Sequence, residues 1–536
     1  MKKNNIFQQK VSQEKYHDFI LDSKLKLRKD TINRDLFTKR LKEIQTKNIE
    51  NQKYLNINEH RFDLLTSEDK KIKYDTLSKL LATYNNQNII DCLYYINRTI
   101  FIRAPNHFFK RMFAQQEFLD LIYNIFLKNE DIQIFNLLIS SFIVLIGEYI
   151  DIRRNIKFKE FITQLIIKLN KNFINDNNSV EITLQLLVTI FNSYKSDEIN
   201  YLDLQLKNLL MEFLIYILKS KLFNENDNIK MLIFFNMSLI LEIELNGNDY
   251  NLFNLKDNLY LIIEFPIKYS RRKNNIALYY NFHVLFYLSK NHEMKKLLFE
   301  NNITNTIFQC FEYLFFNQDT SEEKKNFSIP LTENYFMFIN EIILNLIEYF
   351  IEREEFFKIY LKLIENYRFQ MRVQTIEDNG KKNDSIYILL IIYGITNYSN
   401  NLIENFLKNE KFLKYIIKFY TKNSECFQII LKILINIFKF HLNKLEDFPM
   451  FGQIDFYNII SLGLDYNIIE IKINTIEMLE ELIQLNIEKN VVNLVNLYKN
   501  SLIYEKLSKL LTNDDMNNTN LLNKSDELLN YLEKNN

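Results

Sequence analysis

The chain has 536 residues, 67 Lys and Arg against 67 Asp and Glu, and no tryptophan. One globular core stops growing near ~250–300 residues, so a chain this long holds several domains or grows by repetition. Six glycines and four prolines, the residues behind most tight turns, argue against a sheet-rich chain. No two glycines lie within ten residues of each other, which excludes the glycine-rich phosphate cradle of Rossmann and P-loop sites.

The zero net charge is unevenly placed. Residues 1–45 carry twelve Lys and Arg and six Asp and Glu, a balance of +6, and the remainder is −6. The segment is expected to be a basic arm that folds back on the acidic body or meets an acidic partner. On charge alone the ordinary reading is a solvated basic helix. Residues 46–69 are polar and read as a linker. From Ile72 onward apolar residues recur at helical spacing, which predicts helical repeats over 70–500 and a C-terminal helical cap over 501–536. Polar clusters interrupt the pattern, among them Lys128-Asn129-Glu130-Asp131, Asn175-Asp176-Asn177-Asn178, Asn224-Glu225-Asn226-Asp227, Asn317-Gln318-Asp319-Thr320 and Lys422-Asn423-Ser424-Glu425. They come back about every 40–50 residues, the period of armadillo and HEAT solenoids. Phe118 to Leu127 and Phe412 to Tyr420 are apolar around much of their circumference, so such helices must be covered on more than one side.

Catalytic chemistry is not visible. His17, His60, His107, His283, His292 and His441 form no metal-binding pair, and there is no Gly-x-Ser-x-Gly elbow. Glu354-Glu355 and Glu480-Glu481 read as solvated helix faces. The expectation is no enzyme, no metal and no cofactor. Arg153-Arg154 and Arg271-Arg272-Lys273 are basic clusters near aromatics, but an acidic body opposes phosphate binding, so no nucleic-acid partner is expected. Cys92, Cys310 and Cys426 are far apart and fit neither zinc nor disulfide spacing, which points to a reducing compartment. No apolar h-region follows Met1-Lys2-Lys3-Asn4-Asn5, and Leu137 to Ile146 and Ile386 to Ile395 are too short to span a bilayer. A soluble protein without a membrane partner is expected.

Three stretches carry a resemblance. Leu27-Arg28-Lys29 is followed by Leu36-Phe37 and then Lys39-Arg40. Tyr393-Gly394-Ile395-Thr396-Asn397-Tyr398-Ser399 precedes Ile435-Asn436-Ile437-Phe438 and Asn443-Lys444-Leu445 by some forty residues. His283 through Asn291 forms a third. The layout is similar to importin-α, the nuclear-import adaptor family. The first stretch resembles its importin-β-binding arm, with the family's upstream arginine run reduced to Lys15-Tyr16-His17. The second resembles Trp-Ala-x-Thr-Asn-Tyr-Thr and Ser-Asn-Ile-Phe, and the third Trp-Thr-Leu-Ser-Asn-Leu-Cys-Arg-Asn. In the same register the asparagine of the family's cargo ladder falls on Phe142, Asn192, Asn236, Tyr287, Asn345, Asn397 and Asn436. The tryptophan falls on Leu138, Val188, Leu232, His283, Glu341, Tyr393 and Lys432.

The resemblance implies an all-α, right-handed armadillo superhelix of about nine or ten repeats behind the basic arm. It implies that Leu27, Arg28, Lys29, Lys39 and Arg40 bind importin-β, and that Tyr393, Asn397, Asn436, Asn345, Asn236 and Asn192 contact cargo carrying basic or unconventional localisation signals. The protein would shuttle between cytoplasm and nucleus. A tryptophan wall gives a lysine stem apolar cover and its ammonium about 0.5–2 kcal/mol of cation–π attraction, while an asparagine one turn on holds the peptide backbone. Here no tryptophan survives, and only Tyr393 keeps an aromatic wall beside an asparagine. The alternative is an armadillo scaffold outside transport. Tyr393 is then a core-edge tyrosine and Asn397 an ordinary helical asparagine.

Overall fold

In the computed structural model, residues 70–97, 113, 115–148, 158–193, 204–245, 253–269, 276–311, 338–350, 358, 389–394, 396, 424–441, 456–489, 502–512 and 519–534 are described. No described residue lies in a β-strand. The chain divides into two compact units, one of Ser23–Ile303 and one built on Thr304–Asn536. The expected arm (1–45) and linker (46–69) lie outside the described residues.

The N-terminal unit alternates outer and inner helices. The outer ones are α1 (Lys70–Leu81), α3 (Gln116–Lys128), α5 (Phe158–Lys168), α7 (Leu204–Leu218) and α9 (Leu259–Tyr269). The inner ones are α2 (Asn86–Tyr95), α4 (Ile132–Glu148), α6 (Asn177–Ser193), α8 (Asp227–Leu245) and α10 (Ile276–Lys290), and α11 (His292–Glu300) follows. Each inner helix packs on the next in series, α2 on α4, α4 on α6, α6 on α8 and α8 on α10. Their first residues are roughly 45–50 apart, as the spacing of the polar clusters predicts.

The clusters at 128–131, 175–178 and 224–227 are the starts of inner helices, and the one at 317–320 lies outside the described residues. The first amides of a helix lack an internal partner, and a short polar side chain supplies one at about 0.5–2 kcal/mol. Asp131 Oδ1 accepts from Gln133 N at 2.8 Å and Ile134 N at 3.2 Å. Asp176 Oδ2 accepts from Ser179 N at 2.7 Å. Asn226 Oδ1 accepts from Asn228 N at 2.9 Å, and Asn85 caps α2 through Asn88 N at 3.2 Å.

Outer helices are amphipathic. In α3, Phe118, Leu119, Ile122, Ile125 and Phe126 are buried, a single face at i, i+1, i+4, i+7 and i+8. Inner helices are covered nearly all round, and every residue of α8 from Ile229 to Leu241 is buried. Phenylalanine rings fill much of the space between the helices. Phe142 and Phe126 meet Phe161 at ring separations of 4.8 and 5.5 Å, and Phe234 meets Phe265 at 4.6 Å.

The C-terminal unit repeats the scheme. Helices α12 (Ser424–His441), α14 (Ile469–Lys489) and α16 (Thr519–Lys534) pack in series, with α13 (Phe456–Asp465) and α15 (Leu502–Thr512) beside them. Gly463 of α13 lies against Thr475 of α14 so closely that a Cβ would meet the threonine side chain.

Candidate partner-binding face of the inner helices

Serial packing leaves a narrow open strip on two of the inner helices. On α4 it holds Gln133, Ser140 and Val144, and on α10 His283, Phe286 and Lys290. On α6 and α8 only residues near the ends are partly open, Asn178 and Thr189 on the one and Asn228 and Glu242 on the other. The strip is aromatic at α10. There the His283 and Tyr287 rings lie 4.7 Å apart, and Lys290 Nζ sits 3.9 Å over the Phe286 ring. Burial pushes the neighbouring Tyr280 phenol well above the ordinary tyrosine range.

The asparagines of the inner helices work mainly across repeats. Asn97 Nδ2 donates to Leu137 O at 2.9 Å, and Ser141 Oγ donates to Asn97 Oδ1 at 2.9 Å. Ser179 Oγ donates to Asn136 Oδ1 at 2.8 Å. Asn226 and Asn228 each donate to a different oxygen of the largely buried Glu181 at 3.3 Å. A buried polar group left unpaired costs about 1–3 kcal/mol, so these links hold each repeat in one register against its neighbour.

The ladder carried over from the resemblance needs correcting in this unit. Asn236 is fully buried, and its Nδ2 donates to Leu184 O of α6 at 3.0 Å and Leu232 O of its own helix at 2.8 Å. It is a link between helices and does not face a peptide. Leu138, Val188, Leu232 and Phe142 are buried as well. The register points into the seam between successive inner helices because α8 has no open side along that stretch. Asn192 lies in the last turn of α6, and its side chain is not among those described.

The C-terminal unit treats the register differently. Tyr393 is half-buried, and its carbonyl accepts from Thr396 Oγ1 at 2.6 Å. Asn436 of α12 is half-buried and donates to the same Thr396 Oγ1 at 3.0 Å. The structure therefore links Asn436 to the Tyr393 turn, forty residues away. Asn345 is half-buried within helical residues 338–345. Lys432, in the tryptophan position, pairs with Glu470 at 3.0 Å. Asn397 and the five arm residues Leu27, Arg28, Lys29, Lys39 and Arg40 lie outside the described residues. The pairing of Thr396 with Asn436 was missed in sequence. The signal for it was a polar residue recurring at the repeat distance.

The three cysteines are buried, and burial holds the Cys310 thiol well above its usual range and hence protonated. Among the described residues no helix is long and apolar enough to cross a membrane.

The sequence matches no family model and no curated protein. Among solved structures the chain is similar to an engineered protein at 11% identity and a TM-score of 0.51, over 89% of this chain and 99% of that one. It is similar at 12% identity and a TM-score of 0.51 to a structure from work on a phosphorylation switch between cadherin and beta-catenin, over 84% of this chain and 80% of that one. Kap121p bound to RanGTP aligns at 13% identity over 92% of this chain and 52% of its own length, but with a TM-score of 0.34 it is too loose to carry an argument. At these identities the likeness concerns the fold alone. The chain is an all-helical protein built by repetition, with partly open residues on α4 and an aromatic strip on α10 of its N-terminal unit.

Proposed function

We propose that the chain is an importin-α-like adaptor in nuclear import, with importin-β taken by the arm and cargo taken by the inner face of the C-terminal unit. The observation that carries this is the order of parts. Leu27-Arg28-Lys29 and Lys39-Arg40 stand ahead of a serial stack of helices, the arrangement that lets one protein hold a carrier and a cargo together. Support for the cargo end comes from Tyr393 and Asn436, which are half-buried and tied through Thr396. Asn436 is thereby tied to the backbone turn that carries Tyr393, while Asn236 is consumed in the core. Asn345 and Asn397 are further candidates in the C-terminal unit by the resemblance, and Asn192 is a separate candidate in the N-terminal unit. On this reading the protein moves between cytoplasm and nucleus and acts by binding proteins, without catalysis.

The test is co-purification of importin-β with the full chain against a variant carrying Arg28→Glu, Lys29→Glu, Lys39→Glu and Arg40→Glu. The adaptor is expected to lose importin-β in the variant and to bind it less well as salt rises. Equal recovery of importin-β with both proteins would remove the reading. Burial of Asn236 favours a second one, a helical-repeat scaffold that holds protein partners outside transport. In that case neither protein retains importin-β.

A further inference from the structure

The ends of the first three outer helices each carry an exposed apolar side chain. Tyr84 just past α1 is 43% exposed, Leu127 in the last turn of α3 is 44% and Ile167 in the last turn of α5 is 49%. Lysines join them across the repeats. Lys128 Nζ lies 4.8 Å over the Tyr84 ring, and Lys168 Nζ donates to Phe126 O, and to Leu127 O at 3.4 Å. The helices beneath pack directly, with the Tyr74 and Phe118 rings 6.1 Å apart between α1 and α3, and Phe126 and Phe161 5.5 Å apart between α3 and α5. Apolar and cationic groups therefore alternate along one ridge, in the order Tyr84, Lys128, Leu127, Lys168, Ile167. Lys79 in the last turn of α1 and Lys171 in the π-helical turn Leu169–Phe173 add charge of the same sign. Among the described residues none of these four ammonium groups forms an ion pair. Of the nearby carboxylates, Asp131 and Asp176 cap α4 and α6, and Glu130 acts on Lys168 without pairing with it.

We propose that this ridge docks an extended acidic segment of a protein partner, held in a polyproline II conformation with an apolar side chain at every third residue. Packed helices lie about 8–10 Å apart. Three residues of polyproline II advance about 9 Å and return to the same side, whereas a β-strand returns a side chain to one face every ~6.6 Å and misses the step. One apolar side chain meets each helix end, and the carboxylates between them meet Lys128 and Lys168. Tyr84 is a second mark of a binding surface. Among the described residues only Tyr84, at φ 53°, and Asn302, at φ 63°, are non-glycine residues in the left-handed region. Asparagine tolerates that backbone and tyrosine does not favour it. In a chain rich in asparagine, an exposed tyrosine kept there is strain that folding alone does not call for.

The probe is a fluorescein-labelled peptide, Leu-Glu-Pro-Leu-Glu-Pro-Leu, titrated into the full chain by fluorescence anisotropy beside a counterpart with lysine in place of glutamate. The acidic peptide is expected to bind, less well as salt rises, and the basic one not to bind. Leu127→Ser and Ile167→Ser, at exposed positions, should each weaken binding about three- to tenfold, since about half a side chain's burial is at stake. Tyr84→Asn should weaken binding while the urea midpoint stays level or rises, an outcome that a purely structural tyrosine would not give. The variant with Arg28→Glu, Lys29→Glu, Lys39→Glu and Arg40→Glu should bind the peptide as the parent does, which separates the ridge from the basic arm. No binding of the acidic peptide, equal binding of the basic one, or a loss in the arm variant but in none of the ridge variants overturns the proposal. Capture of phosphatidylserine vesicles that Leu127→Ser weakens, with no binding of the peptide, would put a lipid surface in place of the protein partner and overturn it as well.

Discussion

Replacing Gly463 by alanine tests how closely α13 and α14 approach. In an exposed helix the change stabilises by about 1 kcal/mol, since glycine gives up more backbone freedom than alanine. Here the new Cβ would overlap Thr475 Oγ1 and lie 2.8 Å from its Cγ2 and 3.0 Å from its Cβ. Thr475 is fully buried, its hydroxyl donates to Ile471 O at 2.7 Å, and a β-branched side chain has little rotamer freedom to move away. Overpacking of this kind costs about 1–3 kcal/mol, so the net effect against the gain of about 1 kcal/mol is a loss of about 0–2 kcal/mol. Thr475→Ala removes both overlapping atoms but keeps the Cβ. The double variant should therefore be more stable than the sum of the singles by about 1–2 kcal/mol. A Tyr466→Trp probe, at a ring that stacks 5.1 Å from Phe427, reports unfolding of this unit in urea. A Gly463→Ala protein that gains about 1 kcal/mol would refute the close approach.

Asn236→Ala should lower the stability of the N-terminal unit by about 0.5–1.5 kcal/mol, the net worth of the bond from Asn236 to Leu184 O; urea unfolding measures this, and binding of a basic peptide should not change. Asp131→Ala, which uncaps α4, should cost about 0.5–2 kcal/mol in the same assay, and Asp131→Asn much less. A fluorescent lysine-rich monopartite peptide should bind the arm-deleted chain at least about a hundred-fold more weakly than it binds a groove with the full tryptophan ladder. Three or four missing walls at about 0.5–2 kcal/mol each give that loss at about 1.4 kcal/mol per tenfold. Residual binding should disappear with Tyr393→Ala, whereas submicromolar binding would mean that other residues have rebuilt the pockets.

The fold was legible because its signals are local. Helical spacing from Ile72 and the polar clusters at 128–131, 175–178 and 224–227 mark helices and their starts without any knowledge of what packs on what. Which face of an inner helix stays open was not legible. Asn236 and Asn436 look alike in sequence, yet one is sealed between α6 and α8 and the other half-buried on α12. The difference lies in how completely the neighbouring helices cover each one, and no motif records it. A chain rich in asparagine makes the ladder easy to trace by eye and hard to test. The partner of Asn436 was just as hidden, since Thr396 becomes its neighbour only once the repeats are stacked.

Links such as Ser179 to Asn136 and Asn97 to Leu137 O each join one repeat only to the adjacent one. Nothing in such a chain counts repeats. Unequal duplication or loss of one whole unit during replication would find a matching acceptor on either side of the new join. A cut that removed half a unit would leave donors and carbonyls facing the wrong turn. Lineages of this protein should accordingly vary in length by about one repeat, near 40–47 residues, at a time, while the polar pairs at the joins persist through drift in everything around them.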